Sequence, residues 1–140
     1  MKNKPLRVIL DTNLWISFLI SKNYSKLDQI LFSGTCVLLF SNELLSEFLE
    51  VAHRPKFRRF FSITEIDELL KIVEEYGVLI EVNSSTDVCR DTKDNFLLAL
   101  ADDGQADILI TGDDDLLVLS KHNKTKIQTI SAFLTQSGSS

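Results

Sequence analysis

The feature that most limits the fold is an alternation of short, mainly apolar runs with longer amphipathic stretches. Leu6-Arg7-Val8-Ile9-Leu10 is the first run and Cys36-Val37-Leu38-Leu39-Phe40 the second. Residues 78–82 form the third, Ile108-Leu109-Ile110 the fourth and residues 126–130 the fifth. Strands of this kind lack the in–out alternation of a half-solvated sheet, so both of their faces must be covered. Between them, apolar residues recur at helical spacing. Leu44, Leu45, Phe48, Leu49 and Ala52 make one stripe, with Glu43, Glu47 and Glu50 interleaved. Ile66, Leu69, Leu70 and Val73 make another, opened by Ser62 and Glu65 in capping-box spacing. Further helices are expected over residues 14–20, 26–32, 93–102 and 115–119, and from Ser131. The alternation predicts an α/β fold: a three-layer α/β/α sandwich around a parallel sheet of about five strands. The 140 residues suit one domain, expected over 1–134 with a frayed polar tail at 135–140.

Composition removes several classes of function. With 44% hydrophobic residues the chain can build a core, which excludes disorder except at the ends. Met1-Lys2-Asn3-Lys4 is too short and polar to act as an anchor, and no long uncharged apolar run follows, so neither a signal peptide nor a membrane span is expected. Cys36 and Cys89 lack metal-ligand spacing. That argues against zinc and fits a reducing, cytoplasmic compartment. The net charge of -5 argues against holding nucleic acid by bulk charge. Its distribution is uneven. From Asp87 to Asp115, nine aspartates face only Arg90 and Lys93, and the remainder of the chain is mildly basic. On charge alone this is a solvated acidic face; the sharper reading is a metal site beside a polyanion-binding surface.

In open parallel sheets, ligands bind beyond the carboxyl ends of the strands, where strand order reverses. Asp11 follows the first strand and Asp113 the fourth. If those strands are neighbours at the reversal point, the two carboxylates face each other. Asp94 falls in the first turn of the helix leading into the fourth strand, and Glu47 lies on the helix after the second. Each acid has a plainer reading. Asp11-Thr12-Asn13 can be an N-cap, Asp94 a partner for a helix dipole, and Asp113-Asp114-Asp115 a polar turn. Glu47 can be a solvated helix residue, with Glu43 as its competitor. A shared cleft, however, demands a cation. Two carboxylates about 4 Å apart repel by roughly 4 kcal/mol at an effective dielectric near 20, so a cluster needs cations or protons. Oxygen donors without His or Cys select Mg2+ or Mn2+. Two such ions can activate a water and steady the leaving oxygen of a phosphodiester.

Four segments carry a resemblance to the PIN-domain family, including toxin components of bacterial VapBC-like toxin–antitoxin systems. They are Val8-Ile9-Leu10-Asp11-Thr12-Asn13, the stretch from Ser41 to Leu49 with its second glutamate Glu47, the helix-opening Asp94-Asn95-Phe96-Leu97-Leu98-Ala99-Leu100-Ala101, and Ile110-Thr111-Gly112-Asp113-Asp114-Asp115-Leu116-Leu117. Val51-Ala52-His53-Arg54-Pro55-Lys56-Phe57 also looks like one branch of PIN-type toxins. The resemblance implies a PIN-like, Rossmann-like sheet of order 3-2-1-4-5. It implies Asp11, Glu47, Asp94 and Asp113 as catalytic, metal-binding acids, with Asp115 as a further metal ligand, and Asn13 and Thr111 as residues that order the site. The extra Asp114 departs from the family pattern and leaves the assignment within residues 113–115 open.

The implied activity is Mg2+- or Mn2+-dependent endoribonuclease, with RNA as substrate, a small antitoxin protein as partner and a homodimer as the assembly. Arg54, Lys56, Arg58 and Arg59, with Phe57, Phe60 and Phe61 interleaved, are the candidates for RNA contact; the alternative is a helix connection with core phenylalanines and solvated charges. Two other functions compete: a PIN-like RNA- or protein-binding module without cleavage, and a non-toxin RNA-processing nuclease. A phospho-accepting receiver domain would need paired acids after its first strand and an Asp after its third. Asp11 is single, and Val82 leads into Asn83-Ser84-Ser85.

Overall fold

Val8, Ile9 and Leu10 have no exposed surface, so the first strand, β1 (Leu6–Leu10), runs through the middle of its sheet. The computed structural model describes residues 5–32, 34–84 and 94–138. After β1 come α1 (Thr12–Ser21), α2 (Ser25–Leu31), β2 (Cys36–Phe40) and α3 (Asn42–Ala52). A short 3-10 turn at Pro55–Phe57 leads to α4 (Ile63–Tyr76) and β3 (Gly77–Leu79). The remainder is α5 (Asn95–Gly104), β4 (Ile108–Ile110), α6 (Asp114–Leu117), β5 (Lys121–His122), β6 (Thr125–Gln128) and α7 (Ile130–Gly138). Helices cover both sides of the sheet. None of the described helices is long and apolar enough to cross a membrane.

The sheet order is β3-β2-β1-β4-β6-β5. Its five longer strands are parallel and follow the expected 3-2-1-4-5 order, with β6 in the place of the expected fifth strand. A sixth, two-residue strand was not anticipated: β5 pairs antiparallel with β6 at the sheet edge. Asn123, at φ 52°, opens the two-residue turn between them. The third strand is shorter than the expected 78–82. It begins at Gly77, directly after α4, because an added Cβ there would lie 2.6 Å from the Val73 carbonyl and 2.8 Å from the Phe40 ring. It stops at Leu79 because β2 supplies partners only up to Phe40. The helix α7 reaches into the stretch expected as a tail. Cys36 is a half-buried free thiol; Cys89 lies outside the described residues.

Helix placement follows local chemistry. The Ser41 hydroxyl accepts the Leu44 N–H at 3.1 Å and starts α3 immediately after β2. Ser62 and Glu65 form the reciprocal capping box at the start of α4. Between β1 and β4 the register is Val8↔Ile108, Ile9↔Leu109 and Leu10↔Ile110. The chain builds outward from β1 to β3 on one side and from β4 to β6 on the other. The reversal therefore falls between β1 and β4, and Asp11 and Thr111 leave their strands side by side there.

Candidate active site

The Asp11 N–H donates to the Ile110 carbonyl at 3.0 Å, which extends the β1–β4 pairing by one step. Asp11 stands at the N-cap position of α1, yet its side chain makes no capping hydrogen bond. The carboxylate turns instead to the next strand, where the Thr111 hydroxyl donates to Asp11 Oδ2 at 2.6 Å. Thr111 has no exposed surface and Asp11 is 4% exposed. The same hydroxyl oxygen accepts the Asp113 N–H at 3.0 Å. One buried threonine thus fixes two of the four acids. Asp113 caps α6, its Oδ1 accepting the Asp115 N–H at 2.9 Å.

Asp11 and Asp113 line a cleft of about 250 Å³ at the carboxyl ends of β1 and β4. Its lining includes Asp11, Glu47, Asp94 and Asp113, together with Thr12 and Asn13. Glu47 arrives on α3, on the same face as Val51, which also lines the cleft; one turn farther on, so does Arg54. Glu43 is exposed and outside this lining, so the rotation of α3 selects the second glutamate. Asp94 sits at the N-cap position of α5 without a side-chain capping bond. The rest of the lining is basic and aromatic: Arg54, Lys56, Phe57 and Phe96. The Lys56 ammonium lies 5.1 Å from the centre of the Phe57 ring, and Arg54 meets Glu50 at 3.5 Å.

Burial pushes the Asp11 carboxyl above its ordinary value. The Thr111 hydroxyl and the nearby backbone N–H groups of Asn13 and Thr12 pull it down, while the Asp113 charge raises it further. A carboxyl held in this way gains from a cation beside it.

The structure does not gather every candidate. Asp115 is outside the cleft lining; its backbone serves Asp113. Arg58 lines a different concavity, and the Arg59 guanidinium lies 5.0 Å from the Phe60 ring centre. Of the acidic stretch, Asp87 and Asp91 lie outside the described residues. Among those described, no three His, Cys, Asp or Glu side chains form a ready-made metal cage. Val51 and Phe96 join the cleft without having been singled out. The signal for Val51 is its position one helical turn after Glu47. For Phe96 it is its place two residues after Asp94.

Comparisons with known proteins bear on the family and the fold. A model of the PIN-domain family matches residues 7–115. An uncharacterized protein of Methanocaldococcus jannaschii is 33% identical over 127 residues, covering 89% of this chain and 81% of its own length. The solved PIN domain of human SMG5 superposes with a TM-score of 0.52 at 14% identity, over 93% of this chain and 97% of that one. That likeness speaks to the fold alone.

Proposed function

Because the chain belongs to the PIN-domain family, whose members are generally nucleases, we propose that it is a Mg2+- or Mn2+-dependent endoribonuclease. One observation carries this reading: carboxylates from four separate segments of the chain line a single cleft at the reversal point of the sheet. The donor set fits the metal. All four are hard oxygen donors, and among the described residues neither His nor Cys lines the cleft. Four acids spread around an open space suit a hydrated Mg2+ ion, which keeps several waters and takes only one or two carboxylates directly. Asp11, Glu47, Asp94 and Asp113 would hold it. When bound, the ion supplies an activated water and charge neutralisation for the leaving oxygen.

The chain's own residues do the rest. Thr111 holds Asp11 and, through the Asp113 N–H, aims the loop that carries Asp113. Arg54 and Lys56, in the same lining, offer cationic contacts to the phosphates of a strand entering the cleft. Phe57 and Phe96 give its bases apolar surface. A flexible single strand reaches such a cleft more readily than a stacked duplex.

The expected result is RNA cleavage that needs Mn2+ or Mg2+ and is lost in Asp11→Asn and Asp94→Asn, with both variants folded by circular dichroism. Cleavage by Asp11→Asn at the parent rate would overturn the assignment. The finer reading is a toxin subunit, cytoplasmic and homodimeric, paired with a small antitoxin protein. It is supported by the likeness of residues 51–57 to PIN-type toxins. Its check is growth: expression of the parent should slow it and expression of Asp11→Asn should not.

A further inference from the structure

The basic cluster around Pro55 does not face one way. Arg54, Lys56 and Phe57 line the acid cleft. His53, Arg58 and Phe61 instead line a second concavity of about 310 Å³, with Ala52, Ile63 and Ile66. The last turn of α3 and the segment after it therefore contribute to both. Val51 lines the first and Ala52, its neighbour in sequence, the second. An α-helix with its side chains is about 10 Å across, so the two pockets stand within a few nucleotides of each other along a strand.

We propose that this second pocket is a nucleotide subsite. It would hold a base and phosphate of a single-stranded polynucleotide whose scissile bond lies in the acid cleft. This inference rests on the nuclease reading above. Three observations carry it. First, the lining joins the apolar Ala52, Phe61, Ile63 and Ile66 to Arg58, His53 and Ser62, and no acid is among the described residues that line it. Ala52, Phe61 and Ile66 are buried and Ile63 is 66% exposed, so a planar base meets an apolar surface that is already formed. Second, Arg58 is uncommitted. Arg54 pairs with Glu50, Lys56 lies over Phe57 and Arg59 over Phe60. Among the described residues, no acid or ring engages the Arg58 side chain. The nearby Glu65 carboxylate is held by Lys22 at 2.5 Å and by the Ser62 N–H. Third, His53 Nδ1 lies 2.7 Å from the Leu49 carbonyl. That contact requires a proton on Nδ1, which leaves Nε2 as the ring nitrogen not used by it.

The test is equilibrium binding of fluorescein-labelled single-stranded RNA, a uridine 12-mer beside a uridine trimer, in chelator so that nothing is cut. The parent should bind the 12-mer more tightly than the trimer. Arg58→Ala and Ile63→Asp should each reduce that advantage at least five-fold. Arg58→Ala should also make the salt slope of 12-mer binding shallower by about 0.7, the share of one phosphate contact to a single strand. An unchanged 12-mer-to-trimer ratio in both variants, or an unchanged salt slope in Arg58→Ala, overturns the subsite. Cleavage by the parent in Mn2+ is scored separately. Cleavage with unchanged ratios removes the subsite and leaves the nuclease reading standing. Altered ratios without cleavage remove the nuclease activity and keep the binding pocket.

Discussion

Thr111 and Asp11 show how one hydrogen bond shapes a site. The threonine hydroxyl gives its proton to Asp11 and takes one from the Asp113 backbone, with no water-accessible surface of its own. Thr111→Val is nearly isosteric and removes both bonds at once. It leaves a buried carboxylate and a backbone N–H unsatisfied, which costs about 1–3 kcal/mol for each such group. Urea unfolding should show that loss, and Thr111→Ser should recover most of it. Asp11 also makes stability depend on pH. Below its ordinary value of 3.8, folded and unfolded chains both carry the proton. Above it, the unfolded chain releases the proton first, because burial raises the folded value. Stability therefore declines as pH rises through that window, then levels off once the folded carboxyl has ionised. Asn has no such proton to lose. In chelator, Asp11→Asn should match the parent at acid pH and exceed it in midpoint urea at neutral pH. A parent that stays equal to the variant at neutral pH would show that the Asp11 charge is not strained.

At the scale of elements, α3 brings Glu47, the acid the family resemblance points to, into the cleft lining and leaves Glu43 out of it. Its start is set by Ser41, fully buried, capping Leu44. Ser41→Ala should destabilise the protein by about 1 kcal/mol, the usual loss for an N-cap, read from the shift in urea midpoint at constant slope. The strands were legible beforehand because a strand buried on both faces reads as an unbroken apolar run; β2 and β4 are such runs, and β1 is one from Val8 to Leu10. The end of β3 was not legible. Ile80 and Val82 look as strand-like as Val78, but the limit is set by where β2 stops. β5 left no signal, being two residues long and polar. Glu47 could not be told from Glu43 by spacing, since both lie on the polar side of the same stripe. Only the rotation of α3 against the cleft separates them. The same holds for Asp113 among its two acidic neighbours, where the Thr111 bond and the α6 cap decide which residue faces inward.

Across the whole molecule, the four acids come from both halves of the sheet: Asp11 after β1 and Glu47 on α3 from one, Asp94 before α5 and Asp113 after β4 from the other. The chain already carries a net charge of -5. Bringing these carboxylates to one cleft therefore works against folding unless a cation shares them. A ligand that binds only the folded state stabilises it by mass action. Mn2+ at a hundred times its dissociation constant should add about 2.7 kcal/mol. For a chain of this length that is a rise in Tm of roughly 10 °C. The contribution depends on carboxylates from both halves, so removing either Asp11 or Asp94 should shrink it, even though Asp11→Asn begins from a more stable metal-free protein. Thermal unfolding of the parent, Asp11→Asn and Asp94→Asn, each with chelator and with millimolar Mn2+, checks this directly. The parent should gain most and both variants little. Equal gains in all three would place the cation elsewhere on the acidic surface and break the link between the cleft and the metal.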